Sequence, residues 1–190
     1  MITRRDGTTI RTGEYKSHKQ ALEHIVELGL NLKNADLQKL DLTNITLDET
    51  DLEGADFNGS NLTGANLSDA NLTGAIMDNC DLYNTCLAHS NMTDCSFKNT
   101  NFGATDITGA NISNTHFSTL SCFSLNFATA KTMDRCHFTN TEGQTFIFSK
   151  PPIAIYGHSD LPLVFLEKNA LHGHTAMTNT AMIGTYRQKG

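Results

Sequence analysis

The sequence is short of what usually marks an enzyme or a membrane protein. It has no apolar run of 18 residues, so no membrane-spanning helix is expected. Met1-Ile2-Thr3-Arg4-Arg5-Asp6 carries no apolar stretch of the signal-peptide kind, and the expected location is the cytoplasm. The five cysteines, Cys80, Cys86, Cys95, Cys122 and Cys136, are odd in number and no pair has CxxC spacing. Buried reduced thiols are expected rather than disulfides or a thiolate metal site. No GxGxxG loop occurs, so nothing in the chain reads as a phosphate cradle. Bases are scarce in the middle of the chain. Residues 31–130 hold 12 acids and three bases, a net of −9, while residues 1–30 net +1 and residues 131–190 net +2. Such a middle repels nucleic acid and can steer a basic partner towards itself.

What the chain does have is a period of five. From Leu32 through Leu37, Leu42, Leu47, Leu52 and Phe57 to Phe117, 18 consecutive fifth residues are Leu, Ile, Met or Phe. Cys122 and Phe127 extend the register less cleanly. Two residues before each centre runs a mostly small column, with Ala35, Ala55, Ser60, Ala65, Cys80, Thr85, Cys95 and Thr115 among it. Between the two lies a column of Asp and Asn. Neither a helix, at 3.6, nor a strand, at 2, has this period. One bulky and one small inward position per five residues describe a chain that turns a corner every five residues. Four corners close a coil of about 20 residues, and coils stack at roughly 4.8 Å. About five coils and a rod of ~25 Å follow. The two columns point inward and the Asp/Asn column faces water with the next two positions.

The turns agree with this reading. Gly54, Gly59, Gly64, Gly74 and Gly109 stand two places after a centre, where a type II turn needs positive φ. Asn34, Asn44, Asn79, Asn84, Asn99 and Asn114 take the same slot. Ala35-Asp36-Leu37, Ala55-Asp56-Phe57, Ala65-Asn66-Leu67 and Ala70-Asn71-Leu72 resemble the A(D/N)LXX unit of pentapeptide-repeat proteins. The resemblance covers a little over half the chain. It implies an all-β solenoid, a right-handed quadrilateral β-helix. Some members of that family resemble DNA in width and charge and bind DNA gyrase or topoisomerase IV. Such proteins are usually dimers through an apolar C-terminal helix, and this chain ends instead in strand-like and polar sequence.

The ends read differently. Met1 to Arg11 is expected to form a β-hairpin around a two-residue type I′ turn at Asp6-Gly7. Arg4, Arg5 and Arg11 are either edge charges or a small phosphate-binding patch. Ser17 to about Leu28 is expected to be a helix, with Ser17 and Gln20 as a capping box and Leu22, Ile25, Val26 and Leu28 as its apolar stripe. Gly29 stops it. Its expected job is to cover the first coil, because a solenoid end exposes apolar side chains and strand edges. Hairpin, helix ending Leu28-Gly29-Leu30 and repeats, in that order, resemble small bacterial and phage pentapeptide-repeat proteins without an assigned activity.

After Phe127 the register slips by one, with Met133 and Phe138 in the shifted phase and Cys136 inward beside them. The rod is expected to fray there. Gln144 to Gly190 reads as two or three strands that form a β-rich C-terminal cap, fold back along the rod or pair with the N-terminal hairpin. Residues 175–190 are polar and weakly patterned. The expected division is 1–30, 31–140 and 141–190.

A search for chemistry finds little. Cys86 and His89 are a nucleophile and a base three residues apart, with nothing to orient them. His172-Gly173-His174 offers two metal ligands and lacks a third. His89, His116 and His137 read as surface or packed residues. No catalytic residue, metal or cofactor is expected. What stands out is acid: Asp36, Asp41, Asp48, Glu49, Asp51, Glu53 and Asp56 fall within about one coil. Ile76, Tyr83 and Ala88 are the few apolar residues expected to face outward, and Ile76 with Tyr83 is a candidate contact. The expected function is a non-enzymatic protein-interaction or scaffold module using an acidic surface. The alternative is a DNA mimic that binds gyrase or topoisomerase IV.

Overall fold

A computed structural model describes residues 1–156 and 160–178. Parallel backbone bridges join each repeat to the one 20 residues later, and there are four such ladders. The first runs Asp36–Asp56–Ile76–Ser96, the second Asp41–Asn61–Asp81–Asn101, the third Thr46–Asn66–Cys86–Asp106 and the fourth Asp51–Asn71–Asn91–Asn111. Most rungs are single bridges. Two along the first ladder are long enough to count as strands.

In chain order the elements are β1 (Ile2–Thr3), β2 (Thr9–Arg11), α1 (His18–Glu27), β3 (Ser96–Phe97), β4 (His116–Phe117), β5 (Cys136–Thr139), β6 (Thr145–Phe148), β7 (Ile153–Ile155), β8 (Leu163–Leu166), β9 (Asn169–His172) and β10 (Thr175–Thr178). Strands β3, β4 and β5 pair in parallel and β6 adds antiparallel to β5. A second, wholly antiparallel sheet has the order β10-β9-β8-β7.

The period of five is the core. Every centre from Leu32 to Phe117 is at most 2% exposed. The rings of Phe97 and Phe117 stack with centroids 5.7 Å apart and planes 9° apart, and Phe102 tilts against both. The small column does more than fill volume. Ser60, Cys80, Thr85, Cys95, Thr100 and Thr105 each donate to the backbone carbonyl of the centre 23 residues earlier, over 2.6–3.0 Å. The buried polar atoms are thereby satisfied and successive coils are tied together.

From Leu32 to Ile112 the slot two places after each centre has positive φ whether or not it holds Gly or Asn. Lys39, Glu49, Asp69, His89, Asp94 and Ala104 all lie between 54° and 62° there. The turn geometry is imposed by the stack and overrides residue preference at these places.

Several expectations are corrected. The hairpin turn is not type I′: Gly7 has φ 85° and Asp6 is not in the positive region. Gly7 donates to Arg4 and Arg4 to Thr8, which makes a type I turn followed by a glycine bulge. Ser17 caps α1 through the amide of Gln20, but the Gln20 side chain accepts from Lys16 and not from Ser17. Leu22 and Ile25 of α1 are fully buried, whereas Leu28 is 48% exposed and Leu30, in the small column, 38%. Gly29 turns the chain away from the helix axis at φ 62°, which leaves these two leucines outside.

The N-terminal hairpin lies on the first coil. Asp36 donates its amide to the carbonyl of Thr3 and Arg5 donates to that of Asn34. Lys19 of α1 reaches the carbonyls of Thr43 and Asn44 at 3.0 Å.

At the other end the rod does not fray after Phe127. Gly109 still pairs with Thr129, 20 residues on, while Lys131 pairs with Ala110, 21 residues on. The one extra residue is absorbed between them, next to short 3-10 turns at Leu120–Ser124 and Phe127–Thr129. The ladders then continue at a spacing of 21, Asn111 to Thr132 and His116 to His137. Cys136 and Phe138, in the shifted phase, are fully buried, as is Cys122 in the original one. Beyond it lie five strands where two or three were expected, and Thr175–Thr178, read from sequence as weakly patterned, is one of them. Strand β6 pairs with β5 and not with the N-terminal hairpin.

Candidate functional site

The Asp/Asn column has a structural job at most positions. The side-chain oxygen accepts the backbone amide two residues on: Asp41 from Thr43 at 3.1 Å, Asp56 from Asn58 at 2.9 Å, Asn61 from Thr63 at 3.0 Å, Asn71 from Thr73 at 3.2 Å and Asp106 from Thr108 at 2.9 Å. These are local side-chain caps on the turn. Either Asp or Asn serves, so charge in this column is free to vary without loss of the turn. The hydroxyl and amide of Thr43 hold the Asp41 carboxyl below its ordinary range, and those of Thr108 do the same for Asp106.

The seven acids of the first coil do not share one side. Asp36 and Asp56 belong to the first ladder, Asp41 to the second and Asp51 to the fourth. Asp48, Glu49, Asp51 and Glu53 are consecutive around the corner between the third and fourth ladders. Lys33 lies beside the last two, 2.7 Å from Glu53 and 3.3 Å from Asp51. Those hydrogen bonds raise its pKa. Asp48 and Glu49 make no ion pair among the described residues. Asp56 corrects the expectation that this column faces water: it is 8% exposed. The Arg5 side chain, 4.0 Å from it, covers it, and Arg5 also reaches the carbonyl of Gly54. The acidic belt thus has one broad accessible stretch, Asp48 to Glu53, and a stretch partly overlaid by the hairpin.

Ile76 and Tyr83 lie on different sides. Ile76 is a half-buried rung of the first ladder, while Tyr83, 49% exposed, follows the second-ladder rung Asp81. The Tyr83 ring lies on Gly103 of the next coil, where a Cβ would collide with it. Ala88, next to the third-ladder side, is half-buried.

Chemistry is thin. Cys86 is half-buried and His89 lies over Gly109. No hydrogen bond joins the two among the described residues. The other four thiols are buried, and desolvation pushes Cys80 and Cys136 up to about 12 and raises Cys95 and Cys122 well above the ordinary thiol range. His116 and His137 sit side by side on β4 and β5 with ring centroids 6.1 Å apart. This pair was legible only once the one-residue slip had been placed. Burial first, then Lys98 and His137, lowers the His116 pKa, and its Nε2 bonds to Thr139 at 2.8 Å. His174 packs flat on Phe138 with centroids 6.4 Å apart, while His172 is exposed. No group of three potential metal ligands comes together among the described residues. No helix there is long and apolar enough to cross a membrane.

The repeat itself decides the family. A model of pentapeptide repeats matches residues 29–64, 50–88 and 80–118, in eight copies. The chain is a pentapeptide-repeat protein. Proteins of this family are β-helix solenoids and are generally structural or interaction modules. No curated protein matches this one. Among solved structures, it is similar to the pentapeptide-repeat protein Rfr23 from the cyanobacterium Cyanothece 51142, at 21% identity and TM-score 0.39, over 45% of this chain and 55% of that one. It is also similar to alr5209, a pentapeptide-repeat protein from Nostoc Pcc 7120, at 19% identity and TM-score 0.36, over 52% and 78%. A third is QnrB1, a plasmid-mediated fluoroquinolone resistance protein, at 17% identity and TM-score 0.19, over 56% and 59%. The pentapeptide-repeat chain described here thus spans little more than half the length of the first of these.

Proposed function

We propose that this pentapeptide-repeat protein is a non-enzymatic interaction module of the cytoplasm that presents the acidic stretch Asp48, Glu49, Asp51 and Glu53 to a protein with a basic surface. The observation that carries the reading is the placement of charge. These four acids are half-buried or exposed, and three of them, Asp48, Glu49 and Glu53, lie outside the Asp/Asn column that caps the turns. A rigid solenoid presents such charge with little ordering cost on binding. The finer architecture belongs to the same reading: a right-handed quadrilateral coil of about five turns, with residues 1–30 and 141–190 as its two ends.

A second reading has the belt act as a mimic of DNA towards gyrase or topoisomerase IV. The net charge of −9 over residues 31–130 favours it. The belt is concentrated in one coil and does not run the length of the rod, so the general module is preferred. Immobilised wild-type chain and the variant Asp48→Asn/Glu49→Gln/Asp51→Asn/Glu53→Gln are compared for what they retain from bacterial lysate. The first reading expects a protein held by the wild type and released by the variant. If that protein is a gyrase subunit, supercoiling assays follow. Retention that ignores the four changes overturns both readings.

A further inference from the structure

The acidic stretch borders a groove. Val26 of α1, Gly29, Leu30, Asp48, Glu49 and Asp51 line an open depression of about 470 Å³. Val26 and Leu30 give it apolar surface beside the polar Asn31 and Thr50; Leu30 is 38% exposed, and Leu28, just outside the lining, 48%. One wall carries Asp48 and Glu49, which have no cationic partner among the described residues. The other is the C-terminal end of α1, whose backbone carbonyls add partial negative charge. An occupant that suits both the apolar surface and the walls is an aliphatic or aromatic segment carrying adjacent cations.

The C-terminal residues contain such a segment. Met182, Ile183 and Tyr186 are followed by Arg187 and Lys189, within residues 179–190, which lie outside the described residues. Where that segment begins is known. Thr178 pairs with Asn169 on β9. Two residues from Asn169, Glu167 accepts the amide of Ser149, and the Ser149 hydroxyl bonds to Asp134. The segment therefore leaves from the end of the rod at the level of Thr132, four ladder steps from Asp51. That is ~19 Å along the axis. Met182 is four residues past Thr178 and reaches at most ~14 Å. Ile183, one residue further on, reaches at most ~18 Å, so neither Met182 nor Ile183 of the same copy comes to the groove.

We propose that residues 179–190 of one copy dock in the α1 groove of another, Met182 and Ile183 on Val26 and Leu30 and Arg187 and Lys189 against Asp48 and Glu49. The contact joins unlike surfaces, so it links copies head to tail. It uses acids that the proposed partner surface also uses, and it is tested on the purified chain alone, so its failure leaves that reading standing.

Sedimentation equilibrium of the full chain over a wide concentration range is the test, with far-UV circular dichroism to confirm folding. The wild type is expected to gain mass with concentration. Asp48→Lys/Glu49→Lys and Arg187→Glu/Lys189→Glu should each weaken association by about tenfold or more. A mixture of these two charge-reversed chains should associate again, and a chain ending at Thr178 should stay monomeric. A wild type that is monomeric throughout overturns the proposal. So does association that survives either reversal, which would put the contact elsewhere, such as the open edge of β7.

Discussion

The hydroxyl of Ser60 donates to the carbonyl of Leu37, 2.6 Å away in the preceding coil, and accepts from the amide of Leu40 at 2.9 Å. A single inward serine thus replaces the usual turn bond between two backbone groups. It is 1% exposed, so water cannot stand in for it. Ser60→Ala should cost ~1–3 kcal/mol, the price of leaving buried polar groups unmatched. Urea unfolding midpoints of the two chains measure it. An unchanged midpoint would mean the hydroxyl only fills space.

The Tyr83 ring covers Gly103, which is not in the positive-φ region. Gly103→Ala therefore meets no backbone penalty and should destabilise only through the ring, by ~1–3 kcal/mol. Tyr83→Ala should remove most of that cost, so a double-mutant cycle should give a coupling of at least ~0.5 kcal/mol. Additive effects would place the ring elsewhere.

The thiols should sort by burial. Cys80 and Cys136 are pushed up to about 12 by desolvation, and Cys95 and Cys122 are also raised. At pH 8 an aromatic disulfide reagent should label Cys86, the one half-buried thiol, well before the others. The remaining four should react only at the rate of unfolding. Uniform labelling of all five in the native state would contradict the inward assignment of the small column.

Much of this was legible in the sequence because period five leaves each residue one possible direction. Leu32 to Phe117 could be assigned inward without any structure. The carbonyl bonds of Ser60 and Thr100 were not legible, since they join residues 23 apart and need the coil closed first. Asp56 was assigned outward because its own repeat points it there; only the hairpin, a separate piece of chain, covers it. Leu30 and Leu28 were misplaced because the helix stop at Gly29 sets a direction that neither helical nor pentapeptide spacing encodes. At the C-terminal end the slip was visible, but strand pairing among β7 to β10 depends on register, which unpatterned apolar runs do not specify.

The His116–His137 pair predicts an acid sensitivity. The folded-state pKa of His116 lies below the ordinary value, so at low pH the unfolded chain binds the proton more readily. No cost arises above the unfolded pKa, ~6.5. Stability should fall as pH drops below that value and level off below the folded pKa. His116→Gln should flatten the fall between about pH 7 and 5 in thermal melts. An equal fall in both chains would assign the sensitivity to other groups.

The central claim is that the apolar column holds the solenoid and leaves the charge of the first coil available to a partner. Equilibrium urea unfolding of Asp48→Asn/Glu49→Gln/Asp51→Asn/Glu53→Gln tests it most directly. The account predicts one cooperative transition with a midpoint close to that of the wild type, since relief of like-charge repulsion offsets the loss of the exposed Lys33 pairs, each worth under about 1 kcal/mol, and the turn-capping oxygen at residue 51 is kept. Loss of cooperative folding would show that these acids hold the coil together and are not free to bind.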